Sequence, residues 1–189
     1  MINLMDLQGE WQFALDPNKQ GMPQNFSDTI ILPNTTSHAQ KGPINEEIKT
    51  GSLTDEYAFL GWAWFRRELT ISDATNNSQI FLFLERTRIT KLWIDDTYIG
   101  CQNSLCTPHL YDVTHALSPG KHTLTICVDN TDYPTKGGHL TSEDTQTNWN
   151  GITGKIELRF FSDCFLKDIM VFPNVANKTI TIKGKLESC

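Results

Sequence analysis

Residues 61–71 read GWAWFRRELTI, with Ala63, Phe65, Leu69 and Ile71 on one side of an extended chain and Arg66, Glu68 and Thr70 on the other. Side chains alternate sides along a strand, so this pattern predicts a strand with one face in a core and one toward water. The same period continues outward from it. Residues 79–84 (QIFLFL) are apolar on both faces, as a central strand of a sandwich requires. Residues 91–102 predict a hairpin turning at Asp95-Asp96-Thr97. Leu124, Ile126 and Val128 alternate within residues 122–129, and Ile156, Leu158 and Phe160 alternate with Lys155, Glu157 and Arg159. A further β-rich segment, 165–172, ends at Pro173. No comparable stretch repeats at the helical period. Many short strands between turn signals predict an all-β chain built as two packed antiparallel sheets of the jelly-roll kind.

A chain of 189 residues fits one ordinary domain with a remainder. It is too short for a complete (β/α)₈ barrel, which takes about 250 residues. Lys+Arg number 16 against 22 Asp+Glu, a net charge of −6, which argues against nucleic acid or an anionic membrane as partner, since both require a basic face. No run approaches the roughly 18 apolar residues of a membrane span. The beginning, Met-Ile-Asn-Leu-Met-Asp, carries no basic segment followed by an apolar stretch, so a secretory signal is absent or already removed and the compartment is not read from it. As a separate expectation, the periplasm or secretion is favoured over the cytoplasm. Five cysteines without C-x-x-C spacing predict free thiols, with a Cys101–Cys106 bridge as the alternative.

Two segments interrupt the strand rhythm, residues 33–60 and 130–150. Both exceed the roughly 12–15 residues beyond which a loop is usually functional or disordered, so they are the first places to look for a site. The reading set against this is a plain surface connection. At the other end, residues 179–186 alternate again, with Ile180, Ile182 and Leu186 on one face and Thr181, Lys183 and Lys185 on the other. Such a strand needs a sheet to cover its apolar side. The Pro-Asn-Val-Ala-Asn stretch before it predicts a boundary, with one domain over 1–173 and a linker plus the first strand of another over 174–189.

No G-x-S-x-G elbow, H-E-x-x-H helix or phosphate-binding glycine loop occurs, so neither a nucleophile motif, a metal site nor a cofactor is indicated. The five histidines show no ligand spacing, and His122 at a strand start reads as structural. Asp95-Asp96 and Glu46-Glu47 read as solvated tips. The loop 130–150 differs, because Asp144, Gln146, Asn148 and Trp149 place a carboxylate and amides beside an indole. Sugars stack their C–H faces on aromatic rings and bond through hydroxyls to planar polar groups. The plainer reading is that Trp149 packs under its own loop and that Asn148 and Asn150 cap turns.

In order along the chain stand GEWQF (9–13), LPNTT (32–36), GWAWFRR (61–67), LWIDDTYIG (92–100), YDVT (111–114) and NWNGITGKIEL (148–158). In order and spacing they resemble the N-terminal sugar-binding domain of family 2 glycoside hydrolases, the group of β-galactosidases, β-glucuronidases and β-mannosidases. The resemblance implies a galactose-binding-domain-like jelly roll, followed in the parent enzyme by an immunoglobulin-like domain and a catalytic barrel. Residues 179–186 then look like the start of the immunoglobulin-like domain. The catalytic glutamates of such enzymes lie on the barrel, which nothing here matches, so no catalytic residue is expected in this chain. The expected partners are a terminal β-linked sugar and those missing domains of the same polypeptide. In galactosidase and glucuronidase members the loop before a Gly-Ile pair carries an acidic residue to the sugar. Gly151-Ile152 is the matching pair, and the loop before it offers Glu143 and Asp144, with Thr145 as the other candidate for that place. Asp95-Asp96 depart from the Asn-Gly more usual at the hairpin tip. The alternatives are a free-standing carbohydrate-binding module, which needs an exposed aromatic platform, and a structural domain supporting an oligomer.

Overall fold

The computed structural model describes residues 3–47, 49–73, 79–135, 137–142, 147–162 and 164–188. Thirteen strands run along them: β1 (Asn3–Asp6), β2 (Gly9–Asp16), β3 (Asp28–Leu32), β4 (Asn34–Thr35), β5 (Trp62–Ile71), β6 (Gln79–Thr87), β7 (Ile89–Ile94), β8 (Thr97–Gln102), β9 (His109–Asp112), β10 (Gly120–Asp129), β11 (Gly151–Phe161), β12 (Cys164–Asn174) and β13 (Thr179–Ser188). One sheet has the order β1-β11-β6-β9, with β4 also on β11, and the other β3-β2-β5-β10-β7-β8. The expected antiparallel sandwich is what forms.

The alternation decides which side chains meet between the sheets. Ala63, Phe65, Leu69 and Ile71 from β5 join Leu124, Ile126 and Val128 from β10, and across the gap lie Leu82 and Leu84 of β6 and Ile156 and Leu158 of β11. Burying each large apolar side chain contributes roughly 1.5–3 kcal/mol, and this core is the main source of stability. The hairpin tip forms at Asp95 as expected. Asp95 sits at φ 53°, and its carboxylate accepts bonds from the Thr123 N–H at 2.8 Å and His122 Nδ1 at 2.9 Å. Those bonds hold the Asp95 carboxyl below its usual range, so a residue expected to face only solvent ties the tip to β10. Cys101, Cys106, Cys127 and Cys164 are free thiols.

A buried polar chain supports β7 and β9. His109 Nε2 donates to the Ser104 carbonyl at 2.8 Å, which leaves Nδ1 to accept from the Thr90 hydroxyl at 2.6 Å. The Tyr111 hydroxyl donates to the Thr90 carbonyl at 3.0 Å. Burial holds the His109 imidazole below its usual range, only partly opposed by the Ser104 bond. The folded state therefore binds fewer protons at this site than the unfolded chain, whose histidine titrates near about 6.5. Its contribution is complete above that pH and is lost as pH falls. Urea unfolding at pH 7.5 and 5.5 is expected to show a stability drop in the native chain that is smaller in His109→Gln; equal drops would contradict this.

The segment 165–172, expected within the sandwich, is placed differently. β12 pairs with β13 in a two-stranded sheet of its own. Alternation says that a strand forms but not which sheet it joins. The chain turns away after β11, and the hairpin base rests on the sandwich through Phe165, whose ring lies 4.5 Å from Phe161 and 6.1 Å from Phe81. Leu166, Val171, Ile180, Ile182 and Leu186 stay 57–68% exposed. They share one face, since Leu166 pairs with Leu186 and Val171 with Ile182. Two strands alone are marginal in water, and this face has no cover among the described residues.

Candidate functional site

Both long loops leave and enter the sandwich at the same end. Asp129 at the end of β10 pairs with Trp62 of β5 and with Ile89 of β7. At the start of β11, Gly151 pairs with Thr35 and Ile152 with Thr87. Residues 36–61, residues 130–150 and the β6–β7 corner therefore converge.

Asn130 is the first tie between them. Its Nδ2 donates to the carbonyls of Phe59 and Asn148, both at 2.8 Å, and its Oδ1 accepts from the Gly61 N–H at 3.0 Å. Asn150 adds a second, with Nδ2 donating to Gly61 O at 3.2 Å and Val128 O at 3.1 Å, while its own carbonyl accepts from the Thr36 N–H at 2.8 Å. The loop base is fixed by Asp129. Its Oδ1 accepts from the Thr131 N–H and hydroxyl, and its Oδ2 from Trp62 Nε1 and Lys19 Nζ. Burial opposes the Asp129 charge, but these bonds outweigh it and hold the carboxyl below its usual range.

Arg88 lies at the β6–β7 corner with 2% exposure. Its Nε donates to Trp149 O at 3.1 Å, one terminal nitrogen to Leu140 O at 3.1 Å and the other to Thr147 O at 3.3 Å. The guanidinium carbon lies 4.3 Å from the Trp149 ring centre and 5.6 Å from that of Tyr133. Among the described residues no carboxylate lies within ion-pair distance of Arg88. Asp55, in the first loop, acts on it through space, and has the Thr147 and Ser37 side chains beside its carboxyl. Burial pushes the Asp55 carboxyl up against the effect of those side chains. A cleft opens between the loops, with Asp55, Phe59, Leu60 and Asn148 in its wall.

Of the residues singled out from the sequence, Asp144 and Gln146 lie outside the described residues, as do Glu143 and Thr145. Asn148 and Trp149 are brought to the cleft end. The Asn148 Oδ1 accepts from the Tyr133 hydroxyl at 2.6 Å, and its Nδ2 donates to Asn130 O at 2.9 Å. Burial pushes the Tyr133 hydroxyl up to about 12, so it keeps its proton for that bond. The half-buried Trp149 ring faces Arg88. Asn148 and Trp149 thus serve the loop's own architecture, each through contacts the residue types allow. Sequence reasoning missed Arg88, Asn130 and Asp55. A charged residue between the apolar runs 79–84 and 89–94 was the available signal for Arg88.

The family described as glycosyl hydrolases family 2, sugar binding domain, matches residues 4–160. The chain belongs to that family. No curated protein matches it. Among solved structures, the β-glucuronidase of an uncultured Clostridium sp. superposes with a TM-score of 0.77 at 20% identity, covering 99% of this chain and 34% of that one. The Faecalibacterium prausnitzii β-glucuronidase gives 0.75 at 20% identity, over 99% of this chain and 36% of that one. A calcium-binding mutant of Bacteroides uniformis β-glucuronidase 2 gives 0.72 at 21%, over 100% and 23%. These likenesses show the fold. This sugar-binding domain of family 2 spans about a third of the length of the first two.

The outer face of the six-stranded sheet carries aromatic rings, but not as a flat platform. Trp62–Trp64, Trp64–Trp93 and Trp93–Tyr98 are inclined at 75°, 40° and 53°. Trp64 is 1% exposed, and Lys91 Nζ covers the Trp62 ring at 3.9 Å.

Proposed function

We propose that this domain is the non-catalytic N-terminal part of an exo-acting β-glycosidase that hydrolyses O-glycosyl bonds, and that it lends residues 130–150 to the sugar pocket of a barrel elsewhere in the polypeptide. The carrying observation is the built loop end. Arg88, Asn130 and Asn150 anchor the described residues of 130–150 on both sides of 143–146 to the sandwich. Asp144 and Gln146 bond sugar hydroxyls in this reading, while Asn148 and Trp149 brace the loop through Tyr133, Asn130 and Arg88. The β12–β13 hairpin is the opening of the immunoglobulin-like domain, whose remaining strands cover the exposed face of Leu166, Val171 and Ile182.

The test is Asp144→Ala in the full-length protein, assayed on aryl β-galactoside, β-glucuronide and β-mannoside. A lost hydrogen bond to a charged group is worth roughly 1.5–3 kcal/mol, so kcat/KM for the preferred substrate is expected to fall about 10–100-fold. An unchanged kcat/KM removes Asp144 from the pocket.

A further inference from the structure

We infer that Arg88 is the positioning residue of the 130–150 loop, fixing the backbone at Leu140, Thr147 and Trp149 against the sandwich. A buried cation is costly, and a corner needing only to be filled would take a methionine or leucine at lower cost. What an arginine supplies instead is a planar fork of donors in fixed directions. Here that fork gathers the carbonyls of Leu140, Thr147 and Trp149, at 3.1, 3.3 and 3.1 Å. Leu140 precedes residues 143–146 in the sequence and the other two follow them, so one rigid group holds the chain on both sides of them. Trp149 and Tyr133 lie against the guanidinium and oppose its rotation.

The frame behind the fork is equally fixed. Arg88 follows Thr87, whose hydroxyl donates to Gly151 O at 2.9 Å, and precedes Ile89, which is paired to Asp129. The loop's position is thereby referred to both sheets at the corner that joins them. Asp55 of the first long loop acts on the same guanidinium through space. A lysine at position 88 keeps the charge but presents a single ammonium, which cannot hold three carbonyls in that geometry. Relevance to sugar rests on the function proposed above; the positioning itself does not.

The experiment is amide hydrogen exchange by mass spectrometry on the 189-residue chain and its Arg88→Lys and Arg88→Met variants. Peptides within 137–149 are expected to exchange about tenfold faster or more, while peptides of β5, β10 and β11 stay within about twofold of the native chain. If Arg88→Met does not fold, Arg88→Lys gives the same reading with the charge retained. Unchanged loop exchange overturns the inference. So does an equal acceleration of loop and core, which is the mark of packing alone. In the full-length protein Arg88→Lys is then expected to raise KM for the preferred β-glycoside about tenfold with its pH profile unmoved, because a displaced contact weakens binding without changing the proton-transfer groups. A loosened loop with unchanged KM supports the positioning role and overturns the sugar contact, so the two failures are distinguishable.

Discussion

Asn130→Leu is expected to lower the melting temperature of the chain by roughly 10–15 °C, or to prevent folding at 37 °C. The leucine fills similar space but removes three bonds at once: the acceptor for the buried Gly61 N–H and the donor shared by Phe59 O and Asn148 O. Each buried polar group left without a partner costs about 1–3 kcal/mol. Counting the more buried two of the three gives about 2–6 kcal/mol, with a middle value of about 4, and in a domain of this size each kcal/mol moves the midpoint by roughly 2–4 °C. Asn130→Asp is expected to fall nearly as far. A carboxylate still accepts from Gly61 but faces two carbonyls to which it cannot donate. Differential scanning calorimetry decides the matter, and a shift under about 3 °C for Asn130→Leu would show that the loops are held by something else.

The second large effect falls on Gly151. Its φ is 130°, and a Cβ there would run into the Asn34 carbonyl oxygen and come within 2.9 Å of the Thr35 Cα. Both obstacles are backbone of β4, which is paired to this residue. Gly151→Ala therefore combines a strained conformation, about 1–3 kcal/mol, with a close approach that only movement of β4 relieves, about as much again. Gly120→Ala separates the two costs. It has φ 137° but open space within 4 Å of the added carbon. Calorimetry is expected to show Gly151→Ala losing clearly more than Gly120→Ala, roughly 2–6 kcal/mol in total. Equal losses would mean that β4 yields freely and that the first long loop is not seated by this contact.

The strands were legible because period-2 alternation needs no partner to be read. Phe65, Ile126 and Leu158 stand on the core face that their own segments dictate. The partner of a strand is a different question, which explains why the 165–172 segment was expected in the sandwich while β12 pairs with β13. The loop end was legible only as two long segments rich in amides. Nothing local says that Asn130 meets Gly61, 69 residues away, or that Arg88 collects carbonyls from a loop more than fifty residues further on. Such ties depend on where two sheets bring distant corners together. Asn148 and Trp149 were singled out for their side-chain chemistry, and that same chemistry fastens them to Tyr133, Asn130 and Arg88.

The most direct measurement is the size of the native polypeptide in the source cell, by immunoblot with an antibody raised against this chain. A family 2 sugar-binding domain that serves a barrel is expected in a band several times larger than 21.5 kDa. A band at the size of this chain alone would contradict that account.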